Sequence, residues 1–159
     1  QDALLGGTGN DTLRGGHSHD SLQGGRGDDT LRGGTGNDTL QGGHGTDLIQ
    51  GRRHQDALLG GTGNDILRGG RGNDTLNGGD GNDTLRGGRG LDRFRLSSGS
   101  DTIQDFSITD GDQILINTTI NLSLEQNGNN LILTNNNNIH TTLLNINRDE
   151  LLQHQTDLI

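Results

Sequence analysis

The chain has 159 residues, a length that suits a single domain, but only 25% of them are hydrophobic. It carries a net charge of −9, and it contains no cysteine, which excludes disulfide bonds, and no proline, which argues against collagen. No apolar run approaches the length of a membrane span, no amino-terminal secretion signal is visible, and glycine recurs at a fixed period that favours a stacked solenoid.

Residues 1–95 consist of a nine-residue repeat, seen most clearly in GGTGNDTLR at residues 6–14. The phrase is G-G-x-G-x-D-x-U-x, where U is a large apolar residue. Of the ten complete copies, all have the first glycine, nine have the second and eight have the third. The aspartate recurs eleven times, at Asp2, Asp11, Asp20, Asp29, Asp38, Asp47, Asp56, Asp65, Asp74, Asp83 and Asp92. Because Gln1 falls in mid-repeat, we expect that residues upstream are missing.

Each repeat predicts a glycine-rich turn of six residues followed by a strand of three, such as Thr12-Leu13-Arg14. The middle side chain of the strand points inward and its neighbours point outward. Two repeats then make one coil of eighteen residues, with two parallel sheets and turns stacked along both edges. Stacked strands lie about 4.8 Å apart, so aspartates from repeats n and n+2 lie one above the other.

The stacked aspartates predict a bound cation. Burying one leucine per repeat does not plainly offset the ordering of nine residues, and neighbouring carboxylates repel each other. Calcium takes six to eight oxygen ligands, whereas zinc favours Cys or clustered His and magnesium a stricter octahedron. Calcium binding and folding would then be one event. The alternative is that the aspartates only cap turns, but capping does not require one residue type in strict register.

The repeat resembles the RTX, or haemolysin-type, calcium-binding nonapeptide repeats over residues 1–95. Residues 92–116 resemble the stretch that ends the roll in serralysin proteases and in alginate epimerase R-modules, through Asp92, Phe94, Gly99, Asp101, Ile103, Asp105, Phe106, Asp110, Gly111, Asp112 and Ile114. The resemblance implies an all-β fold, a parallel right-handed β-roll with several calcium ions between successive turns. It also implies a module of a secreted, extracellular protein exported by type I secretion machinery.

The resemblance also implies a set of calcium ligands. The side-chain ligands would be the aspartates of the intact turns, namely Asp11, Asp29, Asp38, Asp47, Asp65, Asp74, Asp83 and Asp92. Backbone carbonyls of the second and third glycines would complete each shell, at Gly7, Gly9, Gly25, Gly27, Gly34, Gly36, Gly43, Gly45, Gly61, Gly63, Gly70, Gly72, Gly79 and Gly81.

Two turns depart from the phrase. Ser18 replaces the third glycine in residues 15–23, and Arg52 and His54 replace the second and third glycines in residues 51–59. The two turns lie four repeats apart and so fall on the same edge of the roll. We therefore expect full calcium occupancy on the other edge and weaker or missing sites beside these turns. Equal filling of both edges in a calcium titration would contradict this expectation.

Four arginines occupy the ninth position of alternate repeats, so Arg14, Arg32, Arg68 and Arg86 point outward from the same sheet, with Gln50 between them. Such a column could hold an acidic polysaccharide or a lipopolysaccharide by charge. The other interpretation is a solvated face whose arginines keep the sheet from associating. Nucleic acid is not predicted as a partner, and no membrane-spanning segment is predicted.

Two further interpretations are not favoured. The Thr-Gly-Asn-Asp phrases at 8–11, 35–38 and 62–65 alternate between edges and so form no continuous row for ice binding. Zinc at His17 and His19 lacks a third nearby histidine, so surface histidines explain these residues better.

Residues 96–159 are predicted to form a β-rich cap and secretion-signal region. Strands are expected at 121–126 and 130–135, joined by the hairpin signal Asn127-Gly128, and a third strand at 139–146. Asn147 and Glu150 fit a helix N-cap with its reciprocal glutamate, and residues 156–159 resemble the end of an uncleaved secretion signal. Two interpretations are open for the acids Asp101, Asp105, Asp110 and Asp112, namely a further calcium site or solvated loop residues.

The sequence contains no nucleophile elbow, no His-Glu-x-x-His and no cysteine, and its regular acids belong to the repeat. We therefore expect a non-catalytic module that folds on calcium binding and supports type I secretion and extracellular folding of a larger protein. The alternative is an accessory module that binds anionic polysaccharide for an attached enzyme.

Overall fold

The computed structural model describes residues 1–115, 123–135, 139–146 and 149. The described residues form sixteen strands in two sheets. The first sheet contains, in order of pairing, β1 (Ala3–Thr8), β3 (Ser21–Arg26), β5 (Thr39–His44), β7 (Ala57–Thr62), β9 (Thr75–Asp80), β11 (Arg93–Arg95) and β13 (Gln113–Leu115). The second sheet contains β2 (Thr12–His17), β4 (Thr30–Thr35), β6 (Leu48–Arg53), β8 (Ile66–Arg71), β10 (Thr84–Arg89), β12 (Gly99–Ile103), β16 (Ile139–Leu143), β15 (Asn130–Thr134) and β14 (Ser123–Asn127).

Consecutive strands of the repeats alternate between the two sheets, and neighbouring repeat strands within a sheet are parallel. Leu4 pairs with Leu22 in the first sheet, and Leu13 pairs with Leu31 in the second. Both pairs are offset by eighteen residues, which is one coil of two repeats. The predicted parallel β-roll is therefore confirmed.

The strands are longer than the sequence predicted. Each full strand of the roll spans six residues, as in Thr12–His17, and includes the first two glycines of the next turn. The prediction of three-residue strands is wrong because the glycines keep the ladder register: Gly16 pairs with Gly34, although both have positive φ angles of 98° and 121°. A shorter turn of three residues, such as 18–20, remains at each edge.

The core is a single file of apolar side chains, one from each repeat, sealed between the sheets. From Leu22 to Phe94 every eighth-position side chain is at most 2% exposed. Leu4 and Leu13 in the first coil are only partly buried. This narrow core explains how a chain with so few hydrophobic residues forms a regular fold.

The described residues after 95 add strands to both sheets and share the core of the roll. Phe94 and Phe106 are in contact, with ring centroids 6.1 Å apart. The predicted hairpin is confirmed, since β14 and β15 are antiparallel and Asn127 pairs with Asn130. β16 then pairs in parallel with β12 and ends at Leu143, three residues before the predicted end. The predicted helix start and the carboxyl-terminal signal lie outside the described residues, and the division of the chain at residue 96 stays a prediction.

None of the described residues belongs to a helix with the length and apolar character that crossing a bilayer requires.

Candidate metal centre

The repeat aspartates form two hydrogen-bonded ladders, one along each edge of the roll. From Asp20 onward, the Oδ1 atom of each ladder aspartate accepts a hydrogen bond from the backbone N–H of the ladder aspartate one coil earlier, at 2.7 to 3.0 Å. The first edge carries Asp11, Asp29, Asp47, Asp65, Asp83 and Asp101. The second edge carries Asp2, Asp20, Asp38, Asp56, Asp74, Asp92 and Asp112. The predicted stacking of aspartates from repeats n and n+2 is confirmed.

The second carboxylate oxygen of most of these aspartates has no partner. Nine Oδ2 atoms are buried and accept no hydrogen bond from any described residue, namely those of Asp11, Asp20, Asp29, Asp38, Asp47, Asp56, Asp65, Asp74 and Asp83. Asp29, Asp47 and Asp65 are at most 2% exposed as whole residues. A buried, uncompensated carboxylate is strongly unfavourable, so a row of them indicates that a cation belongs beside them.

The first glycine of each turn leaves a space that the carboxylate oxygen borders and, at several turns, a backbone carbonyl oxygen borders as well. A side chain at Gly6 would place its Cβ 2.6 Å from the Oδ2 of Asp11 and 2.6 Å from the carbonyl oxygen of Gly24. At Gly15 the corresponding distances, to the Oδ2 of Asp20 and to the next coil's carbonyl, are 2.6 and 2.8 Å. Both positions therefore require glycine, and both bring a carboxylate oxygen close to a carbonyl oxygen from the next coil.

Burial raises the pKa of many of these carboxyl groups. The pKa of Asp65 rises to about 7, first because of burial and then because of the charges of Asp47 and Asp83 above and below it. The pKa values of Asp56 and Asp92 also rise to about 7, again chiefly through burial. The ladder is thus a line of negative charge that the described residues leave uncompensated.

The donor set matches calcium. In the described part of the chain no group of three or more His, Asp or Glu side chains is placed to hold a metal ion. Each turn instead offers one carboxylate and several carbonyl oxygens, and this mixture suits a hard cation that takes six to eight oxygens. A zinc site would need a cluster of nitrogen or sulfur ligands.

The two interrupted turns keep the backbone shape of the intact ones. Ser18, Arg52 and His54 adopt positive φ angles of 86°, 90° and 75° where other repeats have glycine. The carbonyl oxygen of Arg52 lies against Gly70, as the corresponding carbonyl oxygens lie against the glycines of intact turns. Residues without this freedom pay about 1–3 kcal/mol each for such a conformation. The interruptions therefore strain the turn without removing its oxygens, and weaker calcium binding there stays a prediction.

A second ladder, which the sequence did not reveal, runs beside the aspartates at the fifth position of the repeat. The side-chain oxygen of Asn64 accepts a hydrogen bond from the backbone N–H of Asn82 at 2.8 Å. Five other side chains accept the same bond from the backbone N–H of the residue one coil later, namely those of Asn10, Asp28, Asn37, Asn73 and Asn82. In one interrupted turn His19 takes this place, since its Nδ1 accepts the N–H of Asn37 at 2.8 Å. The signal in the sequence is the recurrence of Asn directly before the aspartate.

The ladders end in aspartates whose oxygens are both satisfied. The Oδ2 of Asp101 accepts the hydroxyl of Ser97 at 2.9 Å, and the Oδ2 of Asp112 accepts the N–H of Ser107 at 2.8 Å. Asp101 stacks on the first edge and Asp112 on the second. The interpretation of Asp101, Asp105, Asp110 and Asp112 as one calcium site is therefore wrong, because Asp101 and Asp112 lie on opposite edges of the roll.

Asp105 has a different role at the same end. Its Oδ1 accepts the N–H of Gly87 at 2.9 Å and its Oδ2 accepts the N–H of Gly88 at 3.0 Å. The Nε atom of Arg86 also lies 3.3 Å from Oδ2. Asp105 thus caps the last complete turn of the second edge with a carboxylate.

The histidines bond to their neighbours in the stack. The Nδ1 of His17 lies 2.8 Å from the hydroxyl of Thr35, and His44 makes the same contact with Thr62. These two threonines begin Thr-Gly-Asn-Asp phrases. Thr35 lies in the second sheet and Thr62 in the first, so the phrases form no common row, as predicted. The arginines of the ninth position do align, since Arg14 pairs with Arg32 in the second sheet.

Comparison with known proteins agrees with this geometry. A family model of the RTX calcium-binding nonapeptide repeat matches the chain in four copies, at residues 1–31, 23–58, 59–94 and 68–103. No curated protein matches the chain.

Two solved structures are similar. The extracellular lipase LipA of Serratia marcescens is 19% identical with a TM-score of 0.50, and the match covers 94% of this chain and 38% of the lipase chain. The AlgE6R3 subunit of the mannuronan C5-epimerase of Azotobacter vinelandii is 24% identical with a TM-score of 0.35, over 87% of this chain and 72% of the subunit. The chain thus spans well under half of the lipase, with which it shares the fold. On the repeat, the ladders and the matching family model, this chain belongs to the RTX calcium-binding nonapeptide repeat family.

Proposed function

We propose that calcium ions bind between successive turns along both edges of the roll and that their binding drives folding. The observation that carries this proposal is the row of nine buried Oδ2 atoms without a hydrogen-bond partner among the described residues. A cation beside them removes the penalty of buried charge, and binding restricted to the folded form adds directly to its stability. The ligands proposed are the eight aspartates of the intact turns and the carbonyls of their second and third glycines. The carbonyl of the first glycine joins them, because that of Gly24 and the Oδ2 of Asp11 both border the space that a Cβ on Gly6 would fill.

The sites on the first edge are proposed to be the stronger ones. All five turns of this edge have the complete glycine set, whereas two of the second edge carry Ser18, Arg52 and His54. Positive φ at these three residues supports weaker binding, because the strain must be held in the ion-bound state as well.

The biological role that fits conditional folding is export followed by folding outside the cell. In a calcium-poor cytosol the chain would stay unfolded and transportable through type I secretion machinery. Where calcium is near millimolar, weak extracellular-type sites fill and the roll forms. Membership of the RTX family and a shared fold with a lipase described as extracellular support this proposal. The chain itself is proposed to be non-catalytic, since its regular acids belong to the ladders.

Calcium binding is tested by calorimetric titration in two buffers of different ionisation enthalpy. The titration is made in an osmolyte that keeps the calcium-free chain folded, because carboxyls such as Asp65, with a pKa of about 7 in the fold, then hold protons near neutral pH that calcium must displace. We expect several ions to bind with net proton release near pH 6.5 and little release near pH 8.5. Absence of calcium binding, or binding without proton release at the lower pH, would contradict the proposal.

A second candidate function is binding of an anionic polysaccharide on behalf of an attached enzyme. The observation that favours it is the arginine column on the outer face of the second sheet, in which Arg14 pairs with Arg32 and Arg68 with Arg86. Calcium loading of the edges would neutralise the ladders and leave this face positive. The repeats contain thirteen aspartates and eleven arginines, so modest ion binding is enough to change the sign of their charge.

A further inference from the structure

The outer faces of the two sheets differ in charge, although the same positions of the repeat form both. In the second sheet the ninth position holds arginine in four of the five strands from β2 to β10. In the first sheet the same position, from β1 to β9, holds Leu5, Gln23, Gln41, Leu59 and Asn77. The seventh position of these strands holds only alanine, serine or threonine. Because the geometry of the roll is common to both faces, it does not account for this difference.

The seventh and ninth positions of β1, β3, β5, β7 and β9 form one uncharged surface, which we call the neutral face. Its side chains stand in columns, since Gln23 pairs with Gln41 and Gln41 pairs with Leu59, each one coil further on. Gln23 and Gln41 are exposed. Leu5 is 75% exposed, more than any other large hydrophobic residue in the described part of the chain. The neutral face thus exposes apolar and amide side chains without a charge among them.

The charges around the neutral face restrict what can cover it. Arg26 and Asp80 lie at the ends of β3 and β9, and Arg93 and Arg95 lie in the next strand of the sheet, β11. A charge-free centre with a charged rim is typical of a protein–protein interface, whereas open surfaces mix charges of both signs. Nucleic acids and anionic bilayers bind through cations, which this face lacks. Its occupant must therefore be a protein surface that is itself uncharged.

We propose that the neutral face is a self-association surface through which two folded rolls form a reversible dimer. A second copy offers the required surface, with the same charge-free columns and the same width. Such an interface is isologous, and two sheets that pack face to face lie about 10 Å apart. This proposal goes beyond calcium-driven folding, which only has to build the face.

The two arginines of β11 select one orientation of the dimer. A two-fold axis parallel to the strands makes the roll axes antiparallel, so that β1 of one copy lies over β9 of the other. Arg93 and Arg95 of the two copies then lie at opposite ends of the interface. A two-fold axis parallel to the roll axis would instead place all four arginines together, where they repel each other. Both arrangements bring β5 of one copy over β5 of the other, because β5 is the middle strand of the five.

The size of the neutral face indicates a weak dimer. Five strands about 4.8 Å apart span about 24 Å, and six residues of a strand span about 20 Å. Each copy thus contributes about 500 Å², and the total of about 1,000 Å² lies at the lower end of specific interfaces. The neutral face has no aromatic residue to act as an anchor. We therefore expect a dissociation constant of about 0.1 mM.

The test is sedimentation velocity of the whole chain in calcium, at chain concentrations from about 0.01 to 1 mM. The face variant is Gln41→Arg, which places a charge at the centre of the interface. The matched control is Gln50→Arg, the same replacement at the same position of the repeat in the second sheet. We expect the parent to shift from monomer to dimer, the face variant to dimerise about tenfold or more weakly, and the control to stay within about twofold of the parent.

A charge-swap experiment tests whether the occupant is a second copy. Gln41→Glu alone should dimerise as weakly as Gln41→Arg. An equal mixture of the two variants should associate at least as tightly as the parent, because opposite charges then meet where β5 lies over β5.

Three results overturn the proposal. They are a parent chain that stays monomeric at about 1 mM, equal weakening by Gln41→Arg and Gln50→Arg, and a charge-swapped mixture that stays monomeric. Circular dichroism in calcium verifies that each sample is folded, so a failure to dimerise is distinguished from a failure of calcium-driven folding.

Discussion

Replacing Asp65 with asparagine should change stability in opposite ways with and without calcium. The side chain is 1% exposed, and its Oδ1 accepts the N–H of Asp47 at 2.8 Å while its Oδ2 has no partner among the described residues. Asparagine keeps the acceptor and removes the charge, and its amide nitrogen would border the same space beside Gly60 as the carbonyl of Gly78. A pKa raised from 3.8 to about 7 corresponds to a penalty of about 4 kcal/mol on the charged form above neutral pH.

The calcium-free chain with Asp65→Asn is therefore expected to gain up to about 4 kcal/mol. The additional stability that calcium confers should fall by about 2.7 kcal/mol for each ion lost, at a calcium concentration a hundredfold above the dissociation constant. Both quantities come from urea unfolding followed by circular dichroism above pH 7, in chelator and in calcium. An osmolyte present in all samples populates the calcium-free fold.

The matched control is Asp28→Asn, because Asp28 is exposed, accepts the N–H of Thr46, and occupies a position where five repeats have Asn. It removes the same charge, and both stabilities should stay within about 0.5 kcal/mol of the parent. The reasoning is refuted if Asp65→Asn destabilises the calcium-free chain, or if the stability conferred by calcium is unchanged.

Three other predictions follow from the turns. Between pH 3.8 and about 7 the folded chain holds more protons at Asp56 and Asp65 than the unfolded chain does. Without calcium, the free energy of unfolding should therefore fall as pH rises through this interval, whereas calcium affinity should rise. Denaturation and calcium titrations at pH 5 and pH 8 measure the two quantities. His54→Gly relieves the strain of a φ of 75°, so it should raise the free energy of unfolding by about 1 kcal/mol and tighten calcium binding on the second edge. Unchanged calcium affinity would show that the interrupted turn does not weaken the site. Gly60→Ala forces a Cβ against the Oδ2 of Asp65 and the carbonyl of Gly78, so it should lower the free energy of unfolding by more than about 2 kcal/mol. The control is Gly128→Ala, which should cost only about 1 kcal/mol because no atom lies within 4 Å of the new Cβ. Equal losses would contradict the close contacts inferred at the first glycine of the turn.

The architecture was predictable because one period governs every level of it. The nine-residue spacing sets the coil of eighteen, places Leu22 and its equivalents in the core, and stacks each aspartate on the one two repeats away. The hairpin at Asn127-Gly128 was predictable for a different reason, since that dipeptide favours tight turns between strands. In both cases local residue chemistry and the global fold agree.

Other features depended on contacts that spacing does not report. The strands proved longer because glycines such as Gly16 pair across coils despite positive φ. The ends of the ladders were missed because only the fold shows that Ser97 and Ser107 satisfy the last carboxylates. In the sequence, the interrupted turn at 51–56 indicated only a weakened calcium site. The structure also places Arg52 and Arg53 in one surface groove with Arg14 and Arg32.

The central claim is that the roll folds because calcium neutralises its buried carboxylates. It is tested most directly by far-ultraviolet circular dichroism of the whole chain above pH 7, first in chelator and then during calcium addition. We predict little strand signal in chelator and a cooperative gain of strand structure as calcium rises, reversed when chelator is restored. A chain with the same β-sheet spectrum in chelator as in calcium would contradict the claim.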